Sequence, residues 1–105
     1  MSLIQRIALL LTLAALPGLS VQAADVAAGK AKAEEVCIDC HGDDGTGDDE
    51  TPDITPGRLS HAEFLQAMQE YRNGKRTKDA KMARAAKKLT AAEVENVAAY
   101  FATLK

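Results

Sequence analysis

The feature that most constrains this chain is the pentapeptide Cys37-Ile38-Asp39-Cys40-His41, which contains both of its cysteines. A disulfide between Cys37 and Cys40 would close a very short loop, and the chain-entropy account gives short loops little stabilisation. Such a bridge would also leave the adjacent histidine without a role. The pentapeptide therefore indicates that two thiols and one imidazole act together on a single group.

Three kinds of site use cysteines that lie this close together. A structural zinc site needs four ligands, but the chain adds only one distant histidine, His61, and no second cysteine pair. A thioredoxin-like redox pair normally lies in a strand-helix-strand unit, which this sequence does not indicate. In the C-x-x-C-H attachment sequence of c-type haem, both thiols bond to haem vinyl groups and the imidazole reaches the iron. The sequence favours this last interpretation, and the other two stay open as minor alternatives.

The N-terminus has the features of an export signal. Residues 1–23 contain Arg6, then an apolar run over 7–16, then a stretch with small residues, and the run is too short to span a membrane. We predict a signal peptide over 1–23 that is removed, a mature domain over 24–105 without a membrane span, and a periplasmic location. Without Arg6 the domain has 12 basic and 15 acidic residues, a net charge of −3 that gives no case for nucleic-acid binding.

The mature domain shows the apolar period of helices and no alternation long enough to propose a sheet. A first helix is predicted from its cap at Asp25 to about Val36. Two more helices follow capping-box patterns that begin at Ser60 and Thr90. Their apolar residues recur at i, i+3, i+4 and i+7, as Phe64, Ala67, Met68 and Tyr71 and as Val94, Val97, Ala98 and Phe101.

The segment 42–57 separates the first two helices and is rich in Gly, Asp, Thr and Pro. A loop of that length is unusual in a domain of roughly 80 residues, whose core alone gives marginal stability. A prosthetic group wrapped by the loop would account for both observations.

Charges are unevenly distributed along the chain. An acidic loop contains Asp43, Asp44, Asp48, Asp49, Glu50 and Asp53. A basic segment contains Arg72, Lys75, Arg76, Lys78, Lys81, Arg84, Lys87 and Lys88. Such segregation either steers a charged partner or is simply a solvated surface, and the sequence leaves both interpretations open.

Three residues are candidates for a second axial ligand of the iron. Met68 lies on the apolar face of the second helix, where methionine is usually part of the core. His61 lies in the first turn of that helix, where a solvated side chain is the usual case. Met82 lies in a strongly polar stretch and has no comparable packing role. We therefore predict Met82 as the ligand, with Met68 and His61 as alternatives.

Taken together, these residues resemble the class I cytochromes c, in particular the short bacterial monohaem type. Cys37, Cys40 and His41 match the attachment motif, and segment 42–47 resembles its glycine-rich continuation. The resemblance implies an all-α fold with three main helices around one covalently attached haem c. It also implies that the N-terminal and C-terminal helices cross, with Gly29 and Tyr100 at the matching positions.

The resemblance also implies roles for residues further along the chain. The Pro52 carbonyl would accept a hydrogen bond from the imidazole of His41 and orient it. The family commonly has a proline just before its methionine ligand, whereas Lys81 precedes Met82 here.

We therefore expect a periplasmic electron carrier and not an enzyme, with His41 and Met82 as ligands of one haem iron. Its partners would be redox proteins, with a flavoprotein subunit as one candidate. One alternative is the haem subunit of a larger oxidoreductase, such as a flavocytochrome sulfide dehydrogenase. Another is a haem sensor or enzyme with a displaceable sixth ligand.

Overall fold

The computed structural model describes residues 23–105, so the predicted signal peptide lies outside the described residues except for Ala23. Those residues contain helices and no strands, which confirms the all-α prediction. No helix among them is long and apolar enough to cross a membrane. The helices are α1 (Val26–Val36), α2 (Ile38–His41), α3 (His61–Arg72), α4 (Ala80–Lys87) and α5 (Ala91–Phe101).

The helix starts follow the capping residues of the sequence. The side chain of Asp25 accepts a hydrogen bond from the Ala28 backbone N–H at 3.0 Å. Ser60 and Thr90 each form a complete capping box with the glutamate three residues later. The three predicted helices correspond to α1, α3 and α5, whereas α2 and α4 are additional.

The first and last helices cross at Gly29, as expected. A Cβ atom at this position would overlap the backbone carbonyl of Asn96 and lie 3.0 Å from the Val97 nitrogen. Only glycine therefore allows the two backbones to come this close. Tyr100, the expected aromatic neighbour, lies one turn further along α5, and its ring packs against that of Phe101 at 5.2 Å between centroids.

Polar contacts reinforce the same crossing. The Asp25 backbone N–H donates to the Asn96 side-chain oxygen at 2.8 Å, and the Lys32 ammonium lies 2.9 Å from a Glu93 carboxylate oxygen. Ala33 and Val97 are fully buried. Because α1 ends where the pentapeptide begins, the crossing fixes the position of Cys37 relative to the core.

Helix α4 occupies part of the stretch that the sequence analysis described only as polar. Its N-cap is Asp79. The helix packs mainly against α3, and the Arg72 Nε donates to the Leu89 carbonyl at 2.9 Å just beyond its end. Three residues of this helix and Leu89, just beyond its end, keep the i, i+3, i+4, i+7 spacing. The three residues are Met82, Ala85 and Ala86.

Candidate cofactor site

A cavity of about 570 Å³ lies beside the pentapeptide, within the usual size range of sites for small molecules and cofactors. Cys37, Cys40 and His41 all line it. The apolar residues of two helices line it as well, namely Phe64, Ala67, Met68 and Tyr71 of α3 and Met82, Ala85, Ala86 and Leu89 of α4 and its end. A large apolar group would therefore contact both helices and the pentapeptide at once.

Four residues of the pentapeptide form α2 and Cys37 lies at the joint between α1 and α2, which brings the reactive side chains to one cavity. The Cys37 carbonyl accepts from the His41 backbone N–H at 3.1 Å, and the Ile38 carbonyl accepts from Gly42 at 2.9 Å. Both cysteines are free. Their thiols are thus available to bond to a group in the cavity.

The environment of the cysteines disagrees with the alternative sites. Burial raises the pKa of the Cys37 thiol to about 11, whereas a redox-active cysteine of the thioredoxin type has a lowered pKa. Within residues 23–105, no three or more His, Cys, Asp or Glu side chains are arranged to hold a metal ion. The residues therefore match a group attached through sulfur and ligated by one imidazole better than a zinc ion held by four side chains.

His41 is buried, with 7 % of its surface exposed. Its Nδ1 lies 2.9 Å from the Pro52 carbonyl oxygen. Because a carbonyl oxygen can only accept a hydrogen bond, Nδ1 must carry the proton and donate it. The lone pair of a neutral ring is then on Nε2, the atom that is free to ligate a metal. This contact is the one that the resemblance implied for Pro52.

The loop between α2 and α3 holds the Pro52 carbonyl in place. The Asp48 carboxylate accepts hydrogen bonds from the backbone N–H groups of Glu50 and Thr51, both at 2.9 Å. These bonds lower the pKa of the Asp48 carboxyl. The Gly47 N–H donates to the His41 carbonyl at 2.8 Å, and Gly47 has a φ of 71° that other residues rarely adopt. The loop is therefore tied to the histidine that it orients.

The three candidates for the second axial ligand occupy different places. His61 is exposed and lines a separate pocket of about 70 Å³ beside Pro56 and Phe101, not the large cavity. Met68 lines the large cavity but belongs to the buried core, with 5 % of its surface exposed. Met82 lines the cavity from α4 and is half-buried. Met82 is therefore the candidate that lines the large cavity without belonging to the buried core.

Residues of the acidic loop and of the basic segment both line the cavity, although some of these charged side chains already contact other protein groups. Arg76 lies 2.7 Å from Glu70 and stacks over the Tyr71 ring at 5.6 Å. The side chains of Asp44 and Asp53 bond to the backbone and hydroxyl groups of nearby threonines. Lys75 also lies 3.7 Å from Glu70. The exposed remainder of the basic segment consists of Lys78, Lys81, Arg84, Lys87 and Lys88.

Comparisons with known proteins agree with this geometry. Residues 24–101 match the family described as cytochrome c oxidase, cbb3-type, subunit III. A solved structure of cytochrome c4 from Acidithiobacillus ferrooxidans is similar, with a TM-score of 0.66 and 28 % sequence identity. The similarity covers 82 % of this chain and 53 % of that one, so the chain spans about half the length of the solved protein. No curated protein matches the chain.

The residues around the cavity suit the cofactor of this family. The cavity is surrounded by two free thiols, by an imidazole whose Nδ1 donates a hydrogen bond to the Pro52 carbonyl, and by two apolar helix faces. The family match extends over most of the described residues. The chain belongs to the cbb3-type subunit III family of cytochromes c, is a c-type cytochrome of class I, and has covalently bound haem c as its cofactor.

Proposed function

We propose that this protein is a periplasmic carrier of single electrons whose haem iron has His41 and Met82 as its axial ligands. The observation that carries the proposal is the single cavity lined by Cys37, Cys40, His41 and Met82. The electron-transfer role follows from the cytochrome c family. The axial pair, the periplasmic location and the partners are inferences from this chain's own residues.

Each residue of the pentapeptide site has a distinct task. Cys37 and Cys40 would hold the haem through two thioethers, formed by addition of their S–H bonds to the vinyl groups without a leaving group. His41 would ligate the iron through Nε2, and the Pro52 carbonyl orients the ring by accepting a hydrogen bond from Nδ1. When bound, the haem supplies the one-electron redox chemistry.

The second ligand determines which chemistry the site performs. A methionine thioether raises the reduction potential relative to a second histidine. With His41 and Met82 as ligands, small molecules would have no open position at the iron, which suits electron transfer. The apolar residues of α3 and α4 that line the cavity would keep water away from the cofactor.

The exposed lysines and arginines of the basic segment support a partner of opposite charge. Lys81 and Arg76 line the cavity, so an acidic surface docked on this segment would lie close to the cofactor. We infer that the partner is an acidic redox protein, with a flavoprotein subunit as one candidate. The structure of cytochrome c4 from Acidithiobacillus ferrooxidans supports a complex-induced tuning of electron transfer in that protein. The periplasmic location depends on the signal peptide predicted over 1–23.

Substitution of the methionines tests the axial assignment. The oxidised protein should show the weak red absorbance band of methionine-sulfur ligation, and Met82→Ala should abolish it. Met68→Leu is the matched control, because it preserves core volume and costs less than about 1.5 kcal/mol, and it should leave the band intact. A band that persists in Met82→Ala and disappears in Met68→Leu would transfer the assignment to Met68.

A further inference from the structure

The helix that carries Met82 is buried more deeply near its C-terminal end than in its first turn. Helix α4 has eight residues, and an isolated helix of that length is unstable in water. Its one fully buried residue is Ala86, in the second half of the helix. The Arg72 contact with the Leu89 carbonyl also lies at the C-terminal end. The N-terminal turn, where Met82 is only partly buried, therefore depends more on local contacts.

Asp79 supplies that local stabilisation. Its carboxylate accepts a hydrogen bond from the backbone N–H of Met82 at 3.1 Å, and its carbonyl accepts from Ala83 at 3.0 Å. Met82 is the third residue of α4, so the capping bond ends on the candidate ligand residue itself. The same contact that begins the helix also fixes the backbone of Met82.

We propose that Asp79 is a positioning residue for the sixth ligand: its cap holds the first turn of α4 in the conformation that presents the Met82 sulfur to the cavity. This inference rests on the proposed axial role of Met82. The family commonly has a proline before its methionine, which restricts the backbone through its ring. In this chain Lys81 occupies that position, and the hydrogen bond that the Asp79 carboxylate accepts from the Met82 N–H restricts the backbone instead.

A ligand that competes with methionine measures how firmly Met82 is held. Imidazole added to the oxidised protein binds where Met82 leaves, and its affinity follows from loss of the red band at constant pH. If departure of Met82 opens the first turn of α4, loss of the cap should increase imidazole affinity about five-fold in Asp79→Ala, the factor that corresponds to an ordinary N-cap. Asp79→Asn should retain the affinity of the unaltered protein, because asparagine caps as well as aspartate.

Thr90→Ala is the matched control for a lost cap. It removes the same kind of hydrogen bond from α5, which carries no candidate ligand. It should lower the thermal unfolding midpoint of the holoprotein and leave imidazole affinity unchanged. An equal increase in affinity in Thr90→Ala would show general loosening of the fold and overturn the proposal.

The Asp79 variants provide two further decisive outcomes. An equal increase in imidazole affinity in Asp79→Asn and Asp79→Ala would show that the carboxylate acts through its charge and would overturn the role of the cap. No increase in Asp79→Ala would show that Met82 is held by other contacts. Met82→Ala in the same series keeps the two proposals separate, because persistence of the red band there refutes the axial assignment itself.

Discussion

Replacement of Gly29 by alanine tests the helix crossing that positions the pentapeptide. An added Cβ would overlap the carbonyl oxygen and carbon of Asn96 and lie 3.0 Å from the nitrogen of Val97. All three atoms are backbone, so no side-chain rotation can make room. Because non-bonded heavy atoms rest at about 3.5 Å or more, α1 and α5 must separate locally by more than ~1 Å.

Two effects of opposite sign determine the size of the change in stability. Overpacking of a close contact costs up to about 3 kcal/mol, and here the rigid backbone neighbours favour the upper end. Alanine in a helix is intrinsically better than glycine by up to ~1 kcal/mol. The net loss should be about 2 kcal/mol, which lowers the unfolding midpoint of a domain of this size by ~8–16 °C.

The measurement is thermal unfolding of the haem-loaded protein, followed by far-ultraviolet circular dichroism. Gly57→Ala is the matched control, because a Cβ at Gly57 has no atom within 4 Å and its φ lies outside the left-handed region. We expect that variant to stay within about 0.5 kcal/mol of the unaltered protein, as surface substitutions usually do. Equal stability of Gly29→Ala and Gly57→Ala would refute the close crossing.

Two further predictions concern the charged groups. Hydrogen bonds to Asp48 and Asp53 lower the pKa of both carboxyls below their unfolded values, so their contribution to stability should be complete above about pH 4 and lost as the pH falls through the lowered pKa values. Urea unfolding between pH 5 and 2 should show this loss of stability. The loss should be weaker in Asp48→Asn, which would confirm that Asp48 contributes to it. An unchanged pH dependence in that variant would contradict the contribution of Asp48. Charge reversal of Lys75, Lys78 and Lys81 to glutamate should slow oxidation of the reduced protein by ferricyanide, a small anion, by about ten-fold or more at low salt. The rate is measured by stopped flow against reversal of Lys30 on α1, and a rate and salt dependence that do not change would exclude steering by the basic segment.

The elements that the sequence predicted correctly are those specified by local chemistry. Ser60 and Thr90 begin α3 and α5 because a capping box is a contact within four residues, and those residues are adjacent in the chain. The cofactor was predictable for the same reason, since the C-x-x-C-H pattern that indicates haem lies within five adjacent residues. Gly29 was identified through the family resemblance and not through any pattern in its own segment.

Helix α4 shows what the sequence analysis missed and how it was detectable. Its high content of lysine and arginine suggested a polar connection, but Asp79 caps it and Met82 begins an i, i+3, i+4, i+7 series. Alanine at two of those positions gives a weak hydrophobic signal, although alanine is the best helix former. A search for caps before apolar residues would have found this helix.

The contact between His41 and Pro52 could not be derived from their spacing in the sequence, because it depends on how the loop folds. The two positions are eleven residues apart in sequence, and the contact requires the Asp48 turn and the left-handed conformation of Gly47 to form together. The acidic loop also has a structural use that its composition concealed. Asp48 stabilises the segment that orients the histidine, so negative charge there serves the cofactor site as well as any partner.

The apolar faces of α3 and α5 look alike in sequence but have different neighbours in the structure. The face of α5 packs within the protein, where Val97 and Phe101 are almost completely buried. The face of α3 lines the large cavity together with that of α4. Since α4 makes its main protein contacts with α3 alone, the cofactor supplies the second surface against which α4 packs. The haem would therefore complete the hydrophobic core between α3 and α4 as well as provide the redox centre.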